Sequence, residues 1–264
     1  MNIIIYNIRR IVFFLREFFF PAGCALCNET LLDMKECWYG LCSDCHSDLE
    51  KELEWLDKGD LQNRCTLCGK PMVSGKNTCL ACRNEAKPSY DRMLCIFNYS
   101  GKYKKLFAAY KFGKNLALGH FFAEIFIKAV KCFQIQDSEQ PHNIVPIPPR
   151  PGKIKESGWD QIEYLAKLIE ADWQKHEFEK YQSNMPGIHI NRCLKRLSSK
   201  VQKKLDRQER KKNLKGKMVL IKKAPQTAII IDDVITTGST METCASVLKT
   251  GGSSKIYGIC IVYD

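Results

Sequence analysis

The sequence predicts an α/β fold: a mainly parallel sheet flanked by helices, preceded by a small cysteine-rich ribbon. Three observations carry this reading. From about residue 89 onward, strand-like apolar runs alternate with helical patterns, the order that builds a parallel sheet covered on both faces. Before residue 83, eight of the 14 cysteines fall into four C-x-x-C pairs. Near the C-terminus, "IIIDDVITTGST" (Ile229 to Thr240) joins an apolar run to a helical pattern through two acids and a hydroxyl-rich turn.

The chain begins "MNIIIYNIRRIVFFLREFFFPAG". Asn2, Arg9 and Arg16 recur every seven residues, as do Arg10 and Glu17, so the polar side chains share one helical stripe. A membrane span needs about 20 apolar residues, and these charges would sit in lipid. Residues 1–22 therefore read as an amphipathic helix ended at Pro21-Ala22-Gly23, packing on the protein's own core in preference to a membrane. No signal peptide is evident, and a cytoplasmic, non-membrane-spanning protein is expected.

Residues 23–88 form the second predicted unit. Cys24, Cys27, Cys42 and Cys45 make one set of knuckles, and Cys65, Cys68, Cys79 and Cys82 the other. A C-x-x-C turn points two thiolates at one centre, and two such turns complete a tetrahedron around zinc. The spacing excludes a secreted disulfide scaffold and predicts a double zinc-ribbon domain holding one or two structural ions. With four thiolates and no open position, such sites stabilise a fold and perform no chemistry. Crosswise pairing of the knuckles stays open, as does replacement of a ligand by Cys37 or His46.

Residues 89–264 supply the sheet. "RMLCIFNYSG" reads as a strand, and "KYKKLFAAYKFGKN" and "LALGHFFAEIFIKAVKCF" as helices. "NIVPIPPRPGKIKESGWDQ" reads as a strand breaking into a basic, proline-rich loop, and "DQIEYLAKLIEADW" as a helix. "QTAIIIDDVI", "TMETCASVLKTGG" and "KIYGICIVYD" then give strand, helix and strand, with Gly251-Gly252 as the helix stop.

The stretch Ile229–Thr240 sits where a strand ends and a helix begins, the junction at which ligands bind in open parallel sheets. A helix N-terminus presents unpaired N–H groups and partial positive charge, which favour phosphate. Thr236, Thr237, Ser239 and Thr240 add hydroxyls, and Gly238 admits close backbone approach. Asp232 and Asp233 lie just before this cradle, and carboxylates beside a phosphate site fit sugar hydroxyls or a magnesium-bound ligand. A phosphorylated ribose meets both requirements.

The net charge is +12. All of it lies between Arg192 and Lys223, and the remaining chain is neutral. Lys203, Lys204, Arg207, Arg210, Lys211, Lys212 and Lys215 form the densest part. Such a stripe either contacts single-stranded nucleic acid or is a solvated helix face.

"IIIDDVITTGST" resembles the phosphoribosyl pyrophosphate motif of type I phosphoribosyltransferases. Behind a tandem zinc ribbon, "VPIPPRPGKIKESGWDQ" and "QKKLDRQERKKNL" resemble the ComF family of late-competence, amidophosphoribosyltransferase-like proteins. The matching residues are Val145, Pro146 and Pro148; Gly158, Trp159, Asp160 and Gln161; and Gln202, Leu205, Arg207, Arg210, Asn213 and Leu214. Trp159 and Asp160 stand where that family usually has Phe and Asn, and Arg150 where His is usual. The resemblance implies a type I phosphoribosyltransferase-like sheet that binds phosphoribosyl pyrophosphate with magnesium. It implies Asp232 and Asp233 on the ribose hydroxyls and the Thr236–Thr240 turn on the 5′-phosphate. The turn with Pro149 and Arg150 would cradle pyrophosphate, with Lys153, Lys155 and Trp159 on a closing lid. The implied process is DNA uptake and natural transformation, in company with single-stranded DNA and uptake or recombination proteins. Two function classes follow. One is a glycosyl-transferring enzyme that displaces pyrophosphate. The other is a non-catalytic, phosphoribosyl-pyrophosphate-responsive protein that binds single-stranded DNA.

Overall fold

The computed structural model describes residues 22–73, 76–134, 142–179, 187–198 and 217–264. Except for Ala22, the N-terminal segment 1–22 lies outside these residues. So do Lys203, Lys204, Arg207, Arg210, Lys211, Lys212 and Lys215, together with the "QKKLDRQERKKNL" stretch.

The cysteine-rich region carries α1 (Met34–Tyr39), α2 (Ser43–Glu52), α3 (Glu54–Asp57) and α4 (Leu80–Arg83). Then come β1 (Arg92–Asn98), α5 (Gly101–Lys111), α6 (Leu118–Gln134), β2 (His142–Pro146), α7 (Lys153–Ser157), α8 (Gln161–Glu179) and β3 (Ile188–Ile190). The chain ends with β4 (Leu194–Arg196), β5 (Met218–Leu220), β6 (Thr227–Ile235), α9 (Ser239–Thr250) and β7 (Lys255–Tyr263). The five-stranded sheet runs β1-β7-β6-β2-β3 with every neighbouring pair parallel, and β4 and β5 form a separate antiparallel pair. The expected α/β architecture is therefore present.

Strand β6 shows why the sheet needs two helical layers. Ile229, Ile230 and Ile231 are all fully buried, and successive side chains on a strand point to opposite faces. Ile229 and Ile231 pack with Phe122 and Phe126 of α6 and with Leu165 and Ile169 of α8. Ile230 packs with Met241, Cys244 and Leu248 of α9. Helix α6 forms because Phe122, Phe126, Ala129 and Phe133 recur at helical spacing and bury one continuous stripe. Helix α8 follows β2 on one face and α9 follows β6 on the other. The carboxyl ends of β2 and β6 thus flank a switch point, the crevice where such sheets hold ligands.

The cysteine-rich region shares the core on the α6 face, through Leu49, Leu53 and Leu56. The Cys132 thiol donates to the Leu56 carbonyl at 3.0 Å, and the Tyr39 hydroxyl donates to Glu124 Oε2 at 2.9 Å. The same region also covers the edge strand β1, whose free backbone groups would otherwise invite pairing with another chain. Arg64 Nη1 donates to the Cys95 carbonyl at 2.7 Å, and the Cys95 thiol donates to the Cys68 carbonyl at 3.2 Å. Gly69 makes this contact possible: its φ is +70°, and a Cβ there would fall 2.5 Å from the Met93 carbonyl oxygen and 2.7 Å from the Cys95 nitrogen.

Gly69→Ala must accept a left-handed backbone and also push β1 away. A loss of about 2 kcal/mol or more is expected in denaturant unfolding. Gly101→Ala, at φ +49° with nothing within 4 Å of its Cβ position, should lose only about 1 kcal/mol. Equal losses would show that the ribbon does not bear on the strand.

Candidate functional site

Two four-cysteine groups are assembled by consecutive knuckles. Cys24, Cys27, Cys42 and Cys45 form one, and Cys65, Cys68, Cys79 and Cys82 the other, with the sulfurs in each within 4.8 Å of one another. The crosswise pairing is not what the fold adopts, and neither Cys37 nor His46 belongs to a group. The His46 ring instead packs on Tyr39 and Phe121, at centroid distances of 4.6 and 5.7 Å.

The doubled cysteine pattern is a structural repeat. Cys24 N–H donates to the Glu29 carbonyl and Cys65 N–H to the Lys70 carbonyl, while the bridges Gly23–Thr30 and Arg64–Pro71 close equivalent turns. Asn28 and Gly69, each directly after the second cysteine of its knuckle, have φ of 66° and 70°. Cys42 and Cys79 each stand at the N-cap of the next helix.

These groups fit zinc on geometry and on charge. Four thiolates at about 2.3 Å from one ion stand about 3.8 Å apart. The Cys27–Cys42 and Cys68–Cys79 sulfurs are 3.6 and 3.8 Å apart. Burial works against ionising Cys24 and Cys65, but amide N–H donors from both knuckles of each group outweigh it and bring each to about 7. Other thiols of the groups move the opposite way: burial and the neighbouring sulfurs push Cys45 and Cys68 far up and Cys82 up to about 12. Only a cation lets all four sulfurs of a group carry charge together.

The acid pair occupies a notch in the sheet. Pairing of β2 with β6 ends at Pro146 opposite Ile231, with a last bond from Ile147 N–H to the Ile231 carbonyl at 3.1 Å. On its other side β6 stays paired with β7 through Ile235. The strand therefore continues past the aspartates to Ile235, as the reading of "QTAIIIDDVI" as one strand expects. What ends there is only its β2 partner. Asp232 lies opposite Cys260, and its carboxyl is pushed well above the usual carboxylate range by burial and then by the Asp233 carboxylate.

Asp233 is buried and already engaged. Lys111 Nζ, at the end of α5, is 2.7 Å from Asp233 Oδ2, and Gln161 Nε2 donates to the same oxygen. Gln161 Oε1 in turn accepts from Lys153 Nζ, which also contacts Asp160 Oδ2 at 2.5 Å. Asp160 Oδ1 accepts from the N–H groups of Ile162 and Glu163, both at 3.0 Å, and so caps α8. The Tyr110 hydroxyl donates to the Gln161 carbonyl at 2.7 Å.

The hydroxyl turn meets the N-terminus of α9 as expected. Gly238 is the N-cap with φ 70°, and Ser239 is buried. The Thr237 and Ser239 hydroxyls lie 2.7 Å apart, while Thr236 is exposed and Thr240 half-buried. Pro149 is half-buried and Arg150 exposed, in an ion pair with Glu156. Lys155 is exposed as well. The basic loop is more ordered than a simple loop: Lys153 and Lys155 lie on α7, with Gly152 and Gly158 at its two ends. Lys114 Nζ ties it down by donating to the Ser157 carbonyl at 2.7 Å.

Lys111 and Gln161 hold Asp233, a part that sequence reasoning did not assign to them. Gln161 and the cap at Asp160 had a local signal, an acid three residues before Glu163 at a helix start. Lys111 had none, because its contact joins residues 122 apart in the chain.

No protein-family model matches the chain. Curated proteins do. Competence protein F of Haemophilus influenzae is 25% identical over 90% of this chain and 95% of its own length. Competence protein ComFC of Streptococcus pneumoniae is 23% identical over 90% of this chain and 99% of its own. DNA utilization protein YhgH of Salmonella typhimurium is 22% identical over 91% of this chain and 96% of its own. The chain is a relative of the ComF-type competence proteins. At 90–91% of this chain, the similarity takes in both the cysteine-rich region and the sheet. No helix among the described residues is long and apolar enough to cross a membrane.

Removing Lys111 should leave Asp233 with Gln161 alone. Because the lysine side chain is 23% exposed, Lys111→Met should cost about 1–3 kcal/mol, less than a fully buried pair. A double-mutant cycle with Asp233→Asn, read by denaturant unfolding, should recover at least about 1 kcal/mol of coupling. Additive losses would mean that the pair contributes no coupling.

Proposed function

We propose that the chain binds phosphoribosyl pyrophosphate with magnesium at the carboxyl ends of β2 and β6, as a phosphoribosyltransferase-like protein serving DNA uptake. The observation that carries this is the notch: two carboxylates on β6 just past the end of its β2 partner, with the N-terminus of α9 and its hydroxyls following them. The helix amides and the Thr237 and Ser239 hydroxyls would take the 5′-phosphate. The carboxylates would accept from ribose hydroxyls. Lys153 and Lys111 supply positive charge on the side where β2 leaves, suited to pyrophosphate oxygens, with Pro149 and Arg150 on the adjoining turn. Magnesium, brought with the ligand, would supply charge neutralisation, and the carboxylates are the hard oxygen donors it prefers.

In the transferase form of this reading, a nitrogen nucleophile displaces pyrophosphate from the anomeric carbon. The chain's part is to hold the ribose, exclude water beneath α7 and stabilise the departing anion. The Lys111–Asp233 pair favours a second reading, a ligand-responsive protein without turnover, because the acid is satisfied internally when no ligand is bound. In that reading the stripe from Lys203 to Lys215 contacts single-stranded DNA. The names of the relatives, competence and DNA utilization proteins, support the process in both readings, and the reduced thiols fit the cytoplasm.

Calorimetry with phosphoribosyl pyrophosphate should show magnesium-dependent heat in the wild type and at least about tenfold weaker binding in Asp232→Ala and Asp233→Ala. A wild type without heat would remove the ligand from this protein. Pyrophosphate release in the presence of bases and amines marks the enzyme, and binding without release marks the sensor.

We further infer that both cysteine groups hold zinc. Elemental analysis should find about two ions per chain, falling to about one in Cys65→Ser/Cys68→Ser, with lowered thermal stability. Metal-free protein of unchanged stability would exclude a structural role.

A further inference from the structure

A cleft of 260 Å³ opens between the cysteine-rich region and the sheet, and the site described above does not use it. Its walls include Trp55 and Glu52 of the ribbon side, Arg64, Phe97 at the end of β1, Tyr103 of α5 and Tyr263 at the end of β7. Most of these walls are flat. Phe97 and Tyr103 stack at 4.6 Å, and the Arg64 guanidinium lies 3.7 Å over the Trp55 ring.

The polar groups are of two kinds and are held in place. Arg64 donates to two neutral carbonyls, Cys95 at 2.7 Å and Gly69 at 3.1 Å, so its charge is half-buried against uncharged partners. Opposite in character is Glu52, which accepts from the Tyr103 hydroxyl at 2.5 Å and from Lys102 at 2.6 Å. A bare anion would meet the Glu52 carboxylate, and a bare cation would meet Arg64. A puckered sugar ring would meet the flat walls only through its C–H groups, whereas a planar ring meets them face to face. What satisfies all the walls is a planar heterocycle that offers acceptors to the guanidinium and donors to the carboxylate on its edges. The volume lies below the roughly 300–1,000 Å³ of sites for drug-sized ligands, which suits one ring system and no more.

We propose that this cleft is a nucleobase-binding site. Strand β1 lies two positions from β6 in the sheet, about 10 Å, with its carboxyl end on the same edge. The base would therefore sit along the edge that carries the acid notch. Base binding stands on the walls of the cleft alone, whereas its use as an acceptor for a phosphoribosyl group rests on the reading given above.

The same chemistry is offered by a free base and by an unpaired base in a single strand. Full-length protein is titrated with adenine, guanine and cytosine, with a short single-stranded oligonucleotide, and with an abasic strand of the same length, by calorimetry and tryptophan fluorescence. Binding of free bases, weakened about tenfold by Trp55→Ala, supports an acceptor-type site. Binding of the base-bearing strand over the abasic one, weakened by the same change, supports a strand-base site. Glu52→Gln and Tyr103→Phe, which keep the aromatic stack, should weaken binding as well, and unchanged thermal unfolding separates this from misfolding. Equal binding of abasic and base-bearing strands with no uptake of free bases overturns the proposal, as does base binding indifferent to all three variants. A protein that takes up bases but no phosphoribosyl pyrophosphate retains this site and loses the earlier one.

Discussion

Strand β6 is buried on both faces between parallel neighbours, and most of the molecule follows from that constraint. A strand so placed can hold nothing polar along its middle, because an unpaired charge there would lose its hydration without compensation. Polar chemistry is confined to the stretch where a neighbour falls away. Strand β2 stops at Pro146, so the open side begins at Asp232, and α5, α7 and α8 send Lys111, Lys153 and Gln161 toward it. The helices on the two faces are the cover that the strand needs, and their opposite placement after β2 and β6 creates the crevice.

The cysteine-rich region is part of this arrangement and more than an appendage. Its first repeat joins the apolar core under α6, and its second repeat lies on the exposed edge of β1. A cation in each sulfur group would fix turns that bury little surface of their own. Through Gly69 and Arg64 that rigidity reaches the sheet edge. Glu36 helps to hold the first repeat: its carboxylate accepts from Leu32 N–H, Ser43 N–H and the Ser43 hydroxyl, and these bonds keep it below the usual carboxylate range.

Much of this could be read from residues alone, for identifiable reasons. A doubly covered parallel strand leaves a continuous apolar run, so β6 and β7 stood out, and C-x-x-C spacing encodes a local geometry that survives any context. Strands β3, β4 and β5 did not, since three residues carry no period. The lid was read as a loop because its five helical residues, Lys153–Ser157, are mostly charged and end in glycines. The Lys111–Asp233 pair was invisible because it depends on where α5 ends relative to β6, a matter of tertiary packing. Equally, the cleft beside Trp55 draws its walls from the ribbon, α5 and two strand ends, and no single stretch announces it.

The substitution of Asp160 for the expected Asn has a physical sense in this setting. An Asn could cap α8 equally well, but only a carboxylate can also neutralise Lys153, and Asp160 does both with its two oxygens. The charges at the notch are then balanced internally, with Lys111 set against Asp233, Lys153 against Asp160, and Gln161 joining the two pairs through its amide. Such balance removes the cost of burying like charges near one another. It also means that an arriving anion must draw both lysines away from partners they already have. In the proposed function, a ligand that brings a divalent cation would do so at least cost, because the cation would replace the lysine beside Asp233 while the anion would take the lysine's charge. Under the function proposed above, a ligand carrying phosphate and metal together would best replace the contacts of this network.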